Sequence, residues 1–165
     1  MPLDEKAKTT ALRQLTHGTT MVIIGSKGAG DELNAMTANW TMQVSFHPPL
    51  VMVAIENDAR TRQLIDQGQV FSINIVRAGP DAEALVEKFV KPAKRAGNKL
   101  EDEEFTTGET GAPLLARALS WVDCRVIHRH QTGDHVLYVG EVVAAGVNGD
   151  GEPLSLAQLG WHYGG

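Results

Sequence analysis

The stretch of sequence that decides the fold runs from residue 34 to residue 53 and reads NAMTANWTMQVSFHPPLVMV. It joins a small, polar segment at residues 34–40 to the pair Pro48 and Pro49, and then to an apolar run at residues 50–53. Two consecutive prolines cannot both lie in a central strand, because proline has no N–H for the ladder. The stretch therefore predicts an extended segment, a rigid corner and a buried strand, and a flat ligand could lie against the small residues.

Apolar and β-branched runs on both sides of this stretch predict further strands. The expected strands cover residues 19–24, 34–45, 50–55, 70–76, 118–130 and 136–145, with a hairpin turn at residues 132–134. Helices are expected at residues 4–15, where the helix would cover the barrel, at residues 58–68 with Asp58 as the cap, and from Pro80 to residue 89. A turn at residues 25–31 and a long loop at residues 91–110 complete the pattern. Many strands with a few short helices predict a mainly β, antiparallel barrel in a single domain, residues 1–165.

The bulk composition is ordinary for a globular protein and argues against several functional classes. The 165 residues, 42% of them hydrophobic, are enough to bury one core. The net charge of -5 argues against general nucleic-acid binding, which needs a basic face. No apolar run is long enough to cross a membrane, and the first residues do not resemble a secretory signal. The single cysteine, Cys124, cannot form an internal disulfide. We therefore expect a cytoplasmic protein.

The small, polar segment is the first candidate for a binding site. Backbone N–H groups between Thr37 and Trp40 could meet the acceptor edge of a flat heteroaromatic ring at a fixed spacing. The small side chains of Ala35 and Ala38 would let such a ring approach closely. An ordinary edge strand with small residues accounts for the same composition equally well.

Residues 57–61, which read NDART, are the second candidate. They follow a predicted strand and open a predicted helix, whose N-terminus offers free N–H groups and a positive dipole end to a phosphate. Arg60 adds a bidentate donor and Thr61 adds a hydroxyl. Asp58 would repel a phosphate unless it points away as a helix cap. An ordinary helix start with a surface arginine is the competing interpretation.

Five motifs, in order along residues 19–163, resemble the flavin-reductase-like, FMN-binding split-barrel family. The first is NAMTA at residues 34–38 with Ser45 and the run HPPL at residues 47–50, and the second is residues 57–61. The others are FSIN at residues 71–74, TGAPLL at 110–115 with WVDCRV at 121–126, and GDHVLYVGEV at 133–142. The chain departs from the family pattern at Ala35, where glycine is usual, at His47, where aspartate is usual, and at residues 57–59, where lysine and serine are usual.

The resemblance implies an FMN-dependent NAD(P)H:flavin oxidoreductase on an antiparallel split β-barrel, with hydride passing from nicotinamide to flavin. It implies FMN as the cofactor, with FAD as a second option, and NADH or NADPH as a transient co-substrate. It also implies a homodimer with the flavin site at the subunit interface, and a partner oxygenase or redox protein is a further option. His135 is the residue expected in the catalytic vicinity. The residues expected to bind the flavin are Met36, Thr37, Ala38, Asn39, Trp40, Ser45, Asn57, Arg60 and Thr61. A non-enzymatic FMN electron carrier of the flavoredoxin type is the alternative, because it would use the same flavin site.

Other kinds of site find less support in the sequence. His128 and His130 would share one face of a strand, but no carboxylate or cysteine at ligand spacing joins them, so no metal site is expected. The pair of glycines at residues 28 and 30 lacks the third glycine and the following helix of a dinucleotide-binding motif. Neither a hydrolase nucleophile motif nor a Walker sequence is present. A lone strand cysteine such as Cys124 is typical of a small buried hydrophobic residue rather than of a redox nucleophile.

Overall fold

An antiparallel sheet forms the body of the protein. The structure is a computed structural model that describes residues 3–92 and 98–164. Within those residues the strands are β1 (Val22–Lys27), β2 (Leu33–Ala38), β3 (Thr41–Ser45), β4 (Leu50–Glu56), β5 (Val70–Ile75), β6 (Phe105–Thr107), β7 (Pro113–Leu115), β8 (Ser120–Gln131) and β9 (His135–Val147). The main sheet has the order β2-β1-β5-β8-β9-β4-β3, and β6 pairs with β7 in a small separate ladder. The prediction of a mainly β, antiparallel fold is confirmed.

The connection between β2 and β3 shows how the sheet curls. These strands are neighbours in sequence, separated by Asn39 and Trp40, yet they lie at opposite ends of the strand order. Three backbone steps reach at most about 11 Å. The two edges of the sheet must therefore approach one another, and the sheet curls into a barrel that is split between β2 and β3. The expectation of one continuous strand at residues 34–45 is wrong, because the segment forms two strands, β2 and β3. It bends between them, where Trp40 O accepts a hydrogen bond from Ala54 N at 3.0 Å.

The core lies on both faces of the curled sheet, because successive side chains of a strand point to opposite faces. On β1, Val22 and Ile24 belong to the cluster that fills the barrel with Phe71 and Tyr138. Ile23, between them, belongs to a second cluster outside the barrel. That second cluster also contains Leu85, Val86, Phe89, Leu154 and Leu156. The central strands are thus buried on both faces, which accounts for their unbroken apolar sequence.

The helices are α1 (Glu5–Thr16), α2 (Arg60–Gly68), α3 (Ala82–Val90) and the short α4 (Leu156–Leu159) within the described residues. Asp4 caps α1 by accepting from Lys6 N and Ala7 N, but α1 contains no buried residue. The expectation that α1 covers the barrel is therefore wrong. The expected cap of α2 is also wrong, because Ala59 stands at the N-cap without a side-chain hydrogen bond. Packing of one face of α2 replaces the missing cap, since Thr61, Leu64 and Ile65 are buried.

Two further expectations change with the tertiary contacts. The turn expected at residues 25–31 is shorter, because Gly25 and Ser26 continue β1 and pair with Ala35 and Asn34 of β2. A Cβ atom on Gly25 would lie 2.3 Å from the Ser72 hydroxyl, so this glycine permits close packing rather than a turn. The loop expected at residues 91–110 contains the short strand β6, and its part at residues 93–97 lies outside the described residues. The hairpin of β8 and β9 is confirmed.

Candidate functional site

The small, polar segment predicted to bind a ring lines a cavity of about 280 Å³ at the split of the barrel. Met36, Thr37, Ala38, Asn39 and Trp40 all face this space, which we call the ring cavity. The opposite wall comes from the end of the chain, residues 161–163, and from α4. The fold thus brings together five of the predicted site residues and adds a wall that no sequence pattern indicated.

His135 stands beside this cavity at the first position of β9. Its ring stacks on the Trp40 indole, with centroids 4.7 Å apart and planes at 29°. The register of the sheet explains the contact, because His135 pairs with Glu56 at the end of β4, and β4 also holds Trp40 O through Ala54. The histidine expected in the catalytic vicinity therefore contacts the ring-binding segment directly.

Hydrogen bonds fix the orientation of the His135 ring. Nδ1 lies 2.7 Å from Asp134 Oδ1, and Nε2 lies 3.2 Å from the Tyr163 hydroxyl. The Tyr163 hydroxyl donates in turn to Glu56 Oε1 at 2.5 Å. Burial, and then the hydrogen bond to Glu56, raise the pKa of Tyr163 above its ordinary value. The hydrogen bond from His135 lowers the pKa of the exposed Asp134 carboxyl. The sequence analysis missed Glu56 and Tyr163, because nothing local in sequence links positions 56, 135 and 163.

The ring cavity has features that fit a flat heteroaromatic group. Trp40 Nε1 is buried and has no hydrogen-bond partner among the described residues, so an N–H donor is left over at the cavity. β2 is at one end of the sheet order, so its backbone groups on the side away from β1 are not used by the ladder. In contrast, the side chains of Thr37 and Asn39 already bond Val86 O and Thr19 Oγ1 within the fold. The backbone of β2 is thus one set of donors available to a ligand here, and the buried Trp40 indole N–H is a donor without a partner among the described residues.

A second and larger cleft has a volume of about 1030 Å³, and we call it the basic cleft after Arg60, Lys91 and Lys99 in its wall. Four acidic side chains line it as well: Asp31, Glu32, Glu56 and Asp58. Met36, Glu56 and Val90 line both this cleft and the ring cavity, so the two spaces adjoin. Arg60 and Thr61 at the start of α2 line the basic cleft, as expected for a phosphate site. The predicted ring site and the predicted phosphate site therefore lie side by side.

Both predicted phosphate ligands have partners within the fold. Arg60 Nε donates to Glu32 Oε1 at 3.1 Å, Arg60 Nη2 pairs with the same oxygen, and Nη1 donates to Gln63 at 2.7 Å. Thr61 is fully buried, and its hydroxyl accepts from Asn34 Nδ2 at 3.0 Å. An incoming phosphate would have to compete with the Glu32 carboxylate for Arg60. Glu32 is a third residue, after Glu56 and Tyr163, that the sequence analysis did not single out.

Two predicted site residues lie elsewhere. Asn57 binds the β8–β9 hairpin: its Nδ2 donates to Gly133 O at 3.2 Å, and its Oδ1 accepts from Gln131 at 2.9 Å. Ser45 ends β3, and its carbonyl accepts from Gln43 at 3.1 Å. Neither residue lines the ring cavity or the basic cleft. Asn57 therefore helps to hold the β8–β9 hairpin in place.

Lys99 places a buried ammonium group in the wall of the basic cleft. It is 6% exposed, and its Nζ donates to Phe89 O at 3.1 Å. Burial lowers the pKa of Lys99 from 10.5 to about 8. The pKa of Lys99 is lower in the folded protein than in the unfolded chain, so between about pH 8 and pH 10.5 the unfolded chain binds the Lys99 proton more tightly. The stability contributed at this site therefore increases as the pH rises from about 8 to 10.5.

Replacing Lys99 with methionine is expected to stabilise the protein by about 2 kcal/mol at pH 7, because the cost of burying the charge exceeds the lost hydrogen bond. The gain should shrink above pH 10, where the unfolded lysine also loses its proton. Urea unfolding at pH 7 and pH 10 measures both. Lys91→Met is the matched control, since Lys91 lines the same cleft but is exposed. A Lys99→Met protein that is no more stable than the control at pH 7 would contradict the assignment.

Residues considered for other chemistry lie apart from these clefts. Cys124 is fully buried, and burial followed by the charge of Asp123 raises its pKa to about 12, so its thiol stays protonated at neutral pH. His128 and His130 are exposed on β8. Among the described residues there is no group of three or more potential metal ligands. No helix in the described part of the chain has the length and apolar character that a membrane span requires.

Comparison with known proteins identifies the family of the chain. The family model described as "flavin reductase like domain" matches residues 13–164. The NADH-dependent FAD reductase of Streptomyces globisporus is 32% identical over 130 residues, which are 78% of this chain and 68% of that protein. A putative diflavin flavoprotein of Synechocystis is 32% identical over 139 residues, 84% of this chain, but the chain spans only 23% of its length. The structure of the NADH:FAD oxidoreductase of Streptomyces globisporus C-1027 is similar, with a TM-score of 0.81, 26% identity, and coverage of 95% of this chain and 94% of that one. The protein therefore belongs to the flavin reductase like domain family.

Proposed function

We propose that the protein is an NAD(P)H:flavin oxidoreductase. The observation that carries this proposal is the stack of His135 on Trp40, which brings the residue expected in the catalytic vicinity against the wall of the ring cavity. The similarity to an NADH-dependent FAD reductase and to an NADH:FAD oxidoreductase supports the reaction class. FMN is the expected flavin and FAD is the second to test, and we propose the cytoplasm as the location of the protein.

A bound flavin would supply the hydride-accepting chemistry, which protein side chains lack. The chain would supply position and polarity. The outer backbone edge of β2 and the Trp40 indole N–H would bond the ring edge, and Ala38 would leave room for the ring plane. Arg60 would meet the phosphate in the basic cleft. His135 would hold the Trp40 indole in place beside the ring cavity through the stack of the two rings.

The Arg60–Glu32 pair makes a specific prediction about flavin affinity. Arg60→Ala is expected to weaken FMN binding about 5- to 10-fold, the range for one hydrogen bond to a charged group that already has a competitor. Glu32→Gln is expected to tighten FMN binding about 3-fold, because the guanidinium is released from a competing carboxylate. Flavin fluorescence titration measures both dissociation constants. Arg129→Ala is the control, since Arg129 also pairs with a carboxylate, Asp66, but lies outside both clefts. The proposal requires that FMN binding weakens in Arg60→Ala and tightens in Glu32→Gln. If both variants bind FMN as tightly as the unchanged protein, Arg60 does not belong to the phosphate site.

We further propose a homodimer in which the second subunit covers the split of the barrel. Met42 and Val44 on β3 and Phe46 in the following turn are exposed apolar side chains. They lie on an edge strand directly after the ring-binding segment. A contiguous apolar patch at a strand edge is typical of a protein interface. Sedimentation of the protein with Met42 and Phe46 replaced by serine, compared with the unchanged protein, tests the assembly: a dimer that survives both changes contradicts this interface.

The visible spectrum of FMN-loaded protein, recorded anaerobically before and after NADH or NADPH, tests the reaction. Loss of the oxidised flavin band within the mixing time, relative to free FMN under the same conditions, supports a reductase and identifies the preferred nucleotide. A bound flavin that responds to neither nucleotide contradicts the proposal and favours an electron carrier. The same measurement with FAD decides between the two flavins.

A further inference from the structure

The end of the chain is held against the ring cavity by specific contacts. Thr16 Oγ1 at the end of α1 donates to Tyr163 O at 2.7 Å. The Tyr163 ring meets the Trp40 indole edge-on, with centroids 5.1 Å apart and planes at 64°. The His135 ring stacks on the same Trp40 indole, so the three rings form one cluster. Tyr163 is thus anchored by its backbone, by its ring and by its hydroxyl.

Hydrogen-bond donors and acceptors in this cluster can be assigned from chemistry alone. A carboxylate only accepts, so the Tyr163 O–H must point to Glu56. The Tyr163 oxygen keeps a lone pair that faces His135 Nε2 at 3.2 Å. His135 Nδ1 lies 2.7 Å from the Asp134 carboxylate, which only accepts. Each ring nitrogen of His135 therefore faces one oxygen, Nδ1 that of Asp134 and Nε2 that of Tyr163.

We propose that Tyr163 is a positioning residue: hydrogen-bonded to Glu56, it holds the His135 ring in its plane against Trp40 and fixes the direction in which Nε2 points. Asp134, the exposed residue before His135, contacts the ring at Nδ1 only, so it leaves Nε2 unconstrained. Tyr163 supplies the constraint on the other nitrogen and comes from a different part of the chain. The consequence for hydride transfer rests on the proposed function, whereas the contact itself does not.

The first test uses flavin-free protein and Tyr163→Phe, which removes the hydroxyl and keeps the ring on Trp40. Tyr138→Phe is the matched control, because the chain has two tyrosines and the Tyr138 hydroxyl bonds Asp66, away from the ring cavity. The nitrogen-15 chemical shift of His135 Nε2, assigned by its loss in His135→Ala, is expected to move in Tyr163→Phe and to stay in Tyr138→Phe. An unchanged shift in Tyr163→Phe would overturn the proposal.

The second test measures reduction of bound flavin. Tyr163→Phe is expected to slow it about 3- to 10-fold relative to Tyr138→Phe, the effect of one hydrogen bond, with flavin affinity changed less than about 2-fold. Glu56→Gln, whose amide oxygen still accepts from Tyr163, should retain more of the rate than Glu56→Ala. Equal rates in Tyr163→Phe and Tyr138→Phe, or equal losses in the two Glu56 variants, would overturn the proposal. If the unchanged protein does not reduce flavin at all, the proposed function fails, and the His135 chemical shift decides on Tyr163 alone.

Discussion

Reduction of bound flavin by nicotinamide nucleotide is expected to slow about 100-fold when His135 is replaced by alanine. This corresponds to an increase of about 2.7 kcal/mol in the activation free energy, the size expected when the reacting rings are held less well in position. The flavin dissociation constant should change less than about 3-fold, because His135 lies away from the proposed phosphate contacts in the basic cleft. His135 is 8% exposed and supports one face of the Trp40 indole. Its loss leaves a gap beside the ring cavity and frees Tyr163 from one of its partners.

Stopped-flow absorbance under anaerobic conditions gives the reduction rate, and fluorescence titration gives the affinity. The matched control is His130→Ala, since His130 is an exposed histidine on the neighbouring strand β8 and lines neither cleft. The control should behave as the unchanged protein in both measurements. A His135→Ala protein that reduces flavin at the control rate would remove His135 from the functional site.

Gly68→Ala is expected to destabilise the protein by about 4 kcal/mol, beyond the usual range for overpacking. Gly68 ends α2, and a Cβ atom there would lie 2.0 Å from Lys27 O and 2.9 Å from Gly28 O. Both oxygens belong to the backbone at the end of β1, so no side-chain rotation can relieve the overlap. The whole helix would have to move, and its first turn carries Arg60 and Thr61 of the basic cleft.

Urea unfolding of Gly68→Ala measures this destabilisation, and Gly30→Ala is the matched control. An added Cβ on Gly30 meets nothing within 4 Å, so that variant should stay within about 0.5 kcal/mol of the unchanged protein. We also expect FMN affinity to fall in Gly68→Ala at temperatures where the protein is still folded. If Gly68→Ala has the same urea unfolding midpoint as Gly30→Ala, α2 does not pack against the end of β1 in the way that the structure describes.

The correct sequence predictions are those that depend on local chemistry. Strands β5, β8 and β9 and the hairpin between the last two follow from β-branched and apolar runs around a polar turn. Asp4 was correctly placed at the start of a helix, because its side chain bonds N–H groups two and three residues later. Such signals lie within a few residues of one another, so a single sequence contains all the partners.

The errors arise where a distant segment decides the local structure. Gly25 resembles a turn glycine, but Ser72 and Pro113 approach it so closely that only a glycine fits within β1. Asp58 resembles a helix cap, but burial of Leu64 and Ile65 positions α2 without one. In both cases tertiary packing outweighs a local preference worth about 1 kcal/mol.

The sequence by itself determined the mainly β class, and it predicted the segment at residues 34–40 together with His135 and Arg60, which the structure places at or beside two adjoining clefts. Tertiary structure alone decided that the segment bends at Trp40 and that Glu32 forms an ion pair with Arg60. It also decided that Tyr163 and Glu56 lie beside His135. The physical reason is that hydrogen bonds and ion pairs act over about 3 Å in space. Residues 56, 135 and 163 come within that distance only after the sheet has curled and the end of the chain has packed across its split.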